Sequence, residues 1–218
     1  MINAENILIC IAAPLLISVI FLKGSSKRFG ISFLIGMIVC LLSAYIGGFI
    51  NLATGMGVDD TAVFISPIIE EIMKFLPLAF YVIIFNPQGS NILQVAIGIG
   101  AGFATFENCC YIITSGAEKL HYVLIRGLSV GVMHIVCILA LALAIVLLRR
   151  VNALSTPGLA GGLSLSMIFH ALYNLLVSEP GLSSYVGYAL PLLTAIALYV
   201  PYVKNKKIID EDDNEEKL

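Results

Sequence analysis

Charge is the commodity this sequence has least of. Only 12% of its 218 residues are Asp, Glu, Lys or Arg, whereas 59% belong to the apolar set; a soluble domain carries about 25% charged residues. That balance excludes a water-soluble globule and places the chain in a bilayer. Tryptophan is absent and histidine occurs three times. The five cysteines, Cys10, Cys40, Cys109, Cys110 and Cys137, all lie inside apolar runs without CxxC spacing. They exclude a secreted disulfide scaffold and read as small buried side chains. A net charge of −2 with no basic stripe and interleaved aromatics excludes nucleic-acid binding. No HExxH, GxSxG or P-loop pattern occurs, so a soluble-type zinc protease, an α/β-hydrolase and a nucleotide-driven pump are all unsupported. The first apolar run, Ile7 to Leu22, has no basic region before it and follows Glu5. It reads as a retained span rather than a cleaved signal peptide.

What is present is a series of apolar stretches long enough to cross a membrane. A hydrocarbon core of about 30 Å takes about 20 residues of helix, and seven such stretches occur, near 5–22, 30–52, 62–85, 92–115, 122–148, 158–178 and 184–203. The breaks have turn chemistry: Lys23 to Arg28, Gly55-Met56-Gly57, Asn86 to Ser90, Ser155 to Gly158 and Glu179-Pro180-Gly181. The fold class expected is therefore all-α, a polytopic membrane bundle of about seven helices forming a single domain over 1–209. The acidic remainder, 210–218, reads as a disordered cytoplasmic tail. Lys and Arg set the orientation. Lys23, Lys27, Arg28, Arg149, Arg150, Lys204, Lys206 and Lys207 all fall on one side, against Lys119 on the other. This predicts the N-terminus outside and the C-terminus in the cytoplasm. Gly98 and Gly102, with Gly100 between, have the GxxxG spacing of close helix packing, and Gly161-Gly162 are expected to bring the sixth span toward the fifth.

An ionisable group in the middle of a membrane helix costs about 2.5–3.5 kcal/mol on insertion scales, so each one marks a site. Glu70, Glu71 and Lys74 lie in the third span, Glu107 in the fourth, His134 in the fifth, and His170 with Asn174 in the sixth. At 1.5 Å per residue Glu70, Glu71, Glu107, His134 and His170 sit roughly 12–18 Å below the outer end of their spans. They define one polar level in the outer half of the bundle. Helical spacing pairs Glu70 with Lys74, Glu107 with Tyr111 and His170 with Asn174, while Glu71 points about 100° away from Glu70. One of the two adjacent acids then serves the chemistry and the other orients its surroundings. Three carboxylates against Lys74 leave negative charge that protonation or a divalent cation would neutralise. Two imidazoles with carboxylates suit zinc with an open position for water. The metal-free alternative has a glutamate as general base, the histidines as helpers and Asn174 as a donor. Lys74 reads as structural. Arg126 is expected to snorkel toward the outer headgroups, and His121 to be solvated. Asp59-Asp60 after Gly55-Met56-Gly57 lie at a loop without a second membrane aspartate, which argues against an aspartyl protease.

At these residues the chain resembles the PrsW family of intramembrane proteases, relatives of the CAAX-type membrane endopeptidases. The matching segments are Glu70-Glu71-Ile72-Met73-Lys74 for EExxK, Gly102 to Tyr111 for the glycine-led FExxxY, His134, and His170-Ala171-Leu172-Tyr173-Asn174 for HxxxN. They span about 62–178, the catalytic core that the resemblance implies. A departure is Ile138, four residues after His134, where a small residue is often seen. The resemblance implies an endopeptidase cutting membrane-anchored substrates, in some members the first cut of a regulatory anti-sigma factor. Glu70 and Glu71 would supply the water-activating carboxylate, Glu107, His134 and His170 the metal ligands or acid/base partners, and Asn174 a group near the oxyanion, with Lys74 and Tyr111 in support. Zinc is left open, since a glutamate mechanism is argued for in the CAAX group. The expected partners are a membrane-anchored protein or peptide and the lipid bilayer, and the expected location is a prokaryotic cytoplasmic membrane. Three other classes compete: a proton- or metal-coupled transporter, a silent scaffold or immunity protein, and a lipid-modifying enzyme. No repeat pairing of broken helices supports the first, the full set of acids and histidines speaks against the second, and no phosphate-gripping cluster of Arg and Lys supports the third.

Overall fold

A computed structural model describes residues 4–115, 120–150 and 156–205. Lys119, Lys206, Lys207 and the acidic tail 210–218 lie outside these residues. Among the described residues every regular element is helical, as a chain whose backbone must satisfy itself in lipid requires. The elements run α1 (Ala4–Phe21), α2 (Gly24–Thr54), α3 (Val58–Asp60), a π-helical turn (Thr61–Ile65), α4 (Ser66–Phe85), α5 (Gly89–Ser115), α6 (Leu120–Arg150), α7 (Thr156–Ser178) and α8 (Leu182–Lys204).

The seven long helices correspond to the seven expected spans, with two informative shifts. Helix α2 begins at Gly24 rather than near 30, because Ser25, Ser26, Lys27 and Arg28 are polar but contain no helix breaker. Polarity ends a membrane span without ending the helix. The third span is preceded by α3 and the π-helical turn, which lead without a break into α4, where Pro67 occupies the first turn. Elsewhere the breakers act as read: Gly55 and Asn86 take left-handed conformations after α2 and α4, with φ of 67° and 40°, and Gly181 turns the chain between α7 and α8 with a φ of 89°. By length and composition, six of the long helices qualify as membrane spans; α4 differs in carrying Glu70, Glu71 and Lys74. The protein is thus a multi-pass integral membrane protein. Its exposed residues include Phe21, Phe49, Leu52, Ile83 and Leu165, which suit contact with lipid.

Helix α5 is held between α2 and α6 by glycines on two of its faces. A Cβ at Gly102 would strike the Phe33 backbone of α2, and one at Gly36 of α2 would strike the Ile99 backbone of α5. On the other side, a Cβ at Gly100 would lie 3.0 Å from Ile135 Cα of α6. The close approach expected of Gly98 and Gly102 is therefore made, and its partner is α2. Of the pair Gly161-Gly162, only Gly162 meets α6, at Leu141, while Gly161 faces open space. Helix α1 sits outermost and packs against α2 through Val19 and its neighbours. Helix α6 is the most enclosed, and it carries His134 through the middle of the bundle.

Candidate functional site

Helix α4 explains how ionic groups come to be buried. Its enclosed stripe runs Pro67, Glu71, Lys74, Leu78 and Val82, a spacing of three and four that keeps one face toward the bundle. Glu71 and Lys74 lie on this stripe, and Glu70 lies on its shoulder, one residue away. Lys74 Nζ sits 2.6 Å from Glu71 Oε1. The expected i,i+4 pairing of Lys74 with Glu70 is thereby replaced by an i,i+3 pair with Glu71, because the stripe carries Glu71 inward with the lysine. In α7 the buried stripe is Ser166, His170 and Tyr173.

The two histidines meet edge to face, with ring centroids 5.1 Å apart. His170 Nδ1 lies 2.7 Å from Glu71 Oε1, and its Nε2 lies 3.7 Å from Glu70 Oε2. His134 Nδ1 lies 3.1 Å from Lys74 Nζ, while its Nε2 bonds Glu107 Oε2. Lys74 also sits over the Phe103 ring, 5.0 Å from its centroid. These contacts order the protons. An ammonium can only donate, so Nδ1 of a neutral His134 accepts from Lys74 and its Nε2 donates to Glu107. A carboxylate can only accept, so Nδ1 of a neutral His170 donates to Glu71 and its Nε2 carries the lone pair. The two imidazoles are therefore opposite tautomers, and the one facing Glu70 is the one with a free base.

Glu107 also lies 3.6 Å from Arg126 Nη2. Arg126 does not snorkel away from the bundle: it donates to Asn108 Oδ1 at 2.9 Å and lies 3.3 Å above the Tyr111 ring centroid. A planar guanidinium can stack on a ring and donate in a fork at the same time. Tyr111 in turn reaches Tyr122, 3.3 Å between hydroxyls. Three carboxylates thus face two cations, Lys74 and Arg126, leaving one negative charge when both imidazoles are neutral. Asn174 donates its amide to the Ala62 carbonyl at 3.0 Å, in the π-helical turn, where the i+4 register is broken and a carbonyl is left over. His121, by contrast, is exposed. Asp59 and Asp60 are exposed on α3.

The structure brings Glu70, Glu71, Lys74, Glu107, His134 and His170 together from four helices. Asn174 and Tyr111 lie at the margin. Donor atoms of Glu70, His134 and His170 all lie within 4.8 Å of one another, so these three could hold a metal ion. The ligand set read from the sequence had Glu107 in the place of Glu70; in the structure Glu107 bonds His134 Nε2. The contribution of Arg126 was missed. Its signal was the spacing of Asn108 and Tyr111 on α5, which offers a planar cation an amide and a ring one turn apart. A cavity of about 150 Å³ opens beside this cluster, lined by Glu107, Arg126, Tyr173 and Asn174 among others.

The sequence model for the PrsW family intramembrane metalloprotease matches residues 27–203, most of the chain. No curated protein and no solved structure matches the chain.

Proposed function

Because the chain belongs to the PrsW family of intramembrane metalloproteases, we propose that it hydrolyses peptide bonds of membrane-anchored proteins, with water activated between Glu70 and His170. The observation that carries this reading is the pairing of the Glu70 carboxylate with His170 Nε2, 3.7 Å apart. The gap is too long for a direct hydrogen bond, and a water that bonds both groups fits it. Glu71 is then a positioning residue that fixes the His170 ring through Nδ1, the arrangement that orients a catalytic or ligating imidazole. Lys74 balances the charge of Glu71 and sets the tautomer of His134. Asn174 ties α7 to the turn from which α4 starts, and so holds the register of Glu70.

The donor chemistry of Glu70, His134 and His170 fits zinc, two imidazoles and a carboxylate with room for water. A bound zinc would polarise the substrate carbonyl and lower the pKa of water. Both ring nitrogens of His134 are engaged, Nδ1 by Lys74 and Nε2 by Glu107, so a neutral His134 could serve as a ligand only after one of these hydrogen bonds is given up, and ion uptake would be coupled to a proton shift within this group. A metal-free version of the same site leaves Glu70 as the general base.

The test is cleavage of a single-span reporter by purified wild type, Glu70→Gln and His170→Ala, with and without a chelator, alongside metal analysis. Both variants are expected to lose about 10²-fold or more in rate while remaining folded, as for removal of a general base. Zinc that is lost in His170→Ala, with chelator-sensitive cleavage, assigns the metal form; chelator-resistant cleavage assigns the glutamate form. Normal processing by the two variants would overturn the reading. Ion flux through liposomes, abolished by the same substitutions, would replace it with transport.

A further inference from the structure

Two mostly apolar trenches flank Phe29, at the end of the bundle where α2 and α5 begin and α8 ends. One, of about 730 Å³, runs between α5, α6 and α8, from Ser90 and Tyr202 inward to Ile97 and Ala195. The other, of about 450 Å³, lies between α1 and α2, from Leu22 and Ser26 inward to Leu15 and Phe33. Each of these walls follows its helix for seven residues, about 10 Å, or two-thirds of the roughly 15 Å of hydrocarbon in one leaflet. Phe29 and Gln94 line both trenches, so one ring and one amide form the partition between them. The shared end is cationic. Lys23 and Lys27 are exposed there, and the first turn of α2 has no acidic residue. Arg28 is held at the partition by neutral oxygens, Gln94 Oε1 at 3.3 Å and Asn91 Oδ1 at 2.7 Å. Among the described residues none of these three cations forms an ion pair.

We propose that the two trenches form a binding site for one anionic phospholipid, an acyl chain in each and the phosphate among Lys23, Lys27 and Arg28. Basic groups close to a bilayer surface attract anionic headgroups, and these three have no carboxylate to satisfy them first. Two trenches that share a partition, start at one end and reach the same depth match two chains joined at a headgroup. A transmembrane helix, about 10–12 Å across with its side chains, needs one continuous face, which the Phe29 ring interrupts. The lipid joins α1 to α8 across the partition. Helix α1 needs such a tie, since Val19 is its one buried residue. The site stands apart from the histidine pair, and the inference does not depend on the proteolytic reading.

The experiment follows the full chain in neutral detergent by native mass spectrometry and thermal unfolding, with dioleoyl phosphatidylglycerol, dioleoyl phosphatidylcholine, single-chain lysophosphatidylglycerol or inorganic phosphate added. One phosphatidylglycerol is expected to stay bound per chain, and a hundredfold excess over its Kd should raise the unfolding temperature by about 5 °C or more. The other three additives should each raise it by less than half as much. Lys23→Gln/Lys27→Gln should weaken phosphatidylglycerol binding by about tenfold or more, at about fivefold for each charge, and leave phosphatidylcholine binding unchanged. Ala195→Phe and Ser18→Phe, one in each trench, should each weaken it by filling the space of a chain. Equal stabilisation by phosphatidylcholine would reduce the site to ordinary lipid contact, and equal stabilisation by the single-chain lipid or by phosphate would remove the two-chain match. Each of these results would overturn the proposal, as would unchanged phosphatidylglycerol binding in the lysine variant. Both lysines are exposed, so that variant decides the matter should a filled trench fail to fold.

Discussion

The enclosed face of α4 changes chemistry halfway along its length. Toward Asn86 it presents Leu78 and Val82 to an apolar cluster that includes Ile92, Ile99, Ile138, Ala142 and Ile145. Toward the π-helical turn the same face presents Glu71 and Lys74 to His170 and His134. Helix α6 changes in step, from Ile138 and Ala142 to His134 and Met133. The two ends share helices, spacing and burial, and differ only in what the side chains carry. Packing accounts fully for the apolar end. It does not account for the other, because a buried ion pair replaced by well-fitted apolar side chains is often neutral or stabilising. On the proposed reading the polar end serves the chemistry, and the apolar end of the same helices supplies the packing that holds it.

Substitutions at the two ends should therefore separate stability from activity. The largest effect on folding is expected from Lys74→Met, which leaves Glu71 buried without its cation; breaking such a pair costs about 3–5 kcal/mol. The doubly substituted Glu71→Leu/Lys74→Met chain should recover most of that loss in thermal unfolding and still cleave no reporter. Recovery of cleavage together with stability would make the pair a mere packing device. Next, Leu78→Ala at the apolar end should cost about 2–5 kcal/mol for a truncated core side chain, with the rate per folded molecule unchanged. A rate that fell more steeply than the folded fraction would show that the apolar end tunes the site directly. Gly102→Ala would place a methyl group 1.9 Å from the Phe33 carbonyl oxygen, a backbone atom that only a shift of α2 against α5 can clear, and should cost at least about 3 kcal/mol, the upper end of ordinary overpacking. Crosslinking between cysteines introduced on α2 and α5 would detect the separation of those helices.

Much of this comparison is visible in the chain itself. Seven apolar stretches, the turn residues between them and the rare charged groups inside them are local features, and each follows from side-chain chemistry and the thickness of a bilayer. The glycine spacing of α5 signalled a close neighbour, but that neighbour is α2, a choice made by the shape of both helices. The start of α2 is less legible, because polarity ends a membrane span without ending the helix: Gly24, and not Lys27 or Arg28, makes the turn.

The sequence by itself determined that this protein is a helical membrane bundle and which side chains were too polar to be there by accident. It could not determine the partners. Glu70 and Glu71 are adjacent and chemically identical, and both are within reach of Lys74 along a helix; only the rotation of α4 against α6 and α7 brings Glu71 to Lys74 and His170 and leaves Glu70 facing Nε2. Arg126 turns inward because Asn108, Tyr111 and Glu107 stand on a neighbouring helix at the right height. Hydrophobic periodicity is a property of one helix, but hydrogen bonds and ion pairs need two groups within a few ångströms, and that distance exists only after the helices have packed.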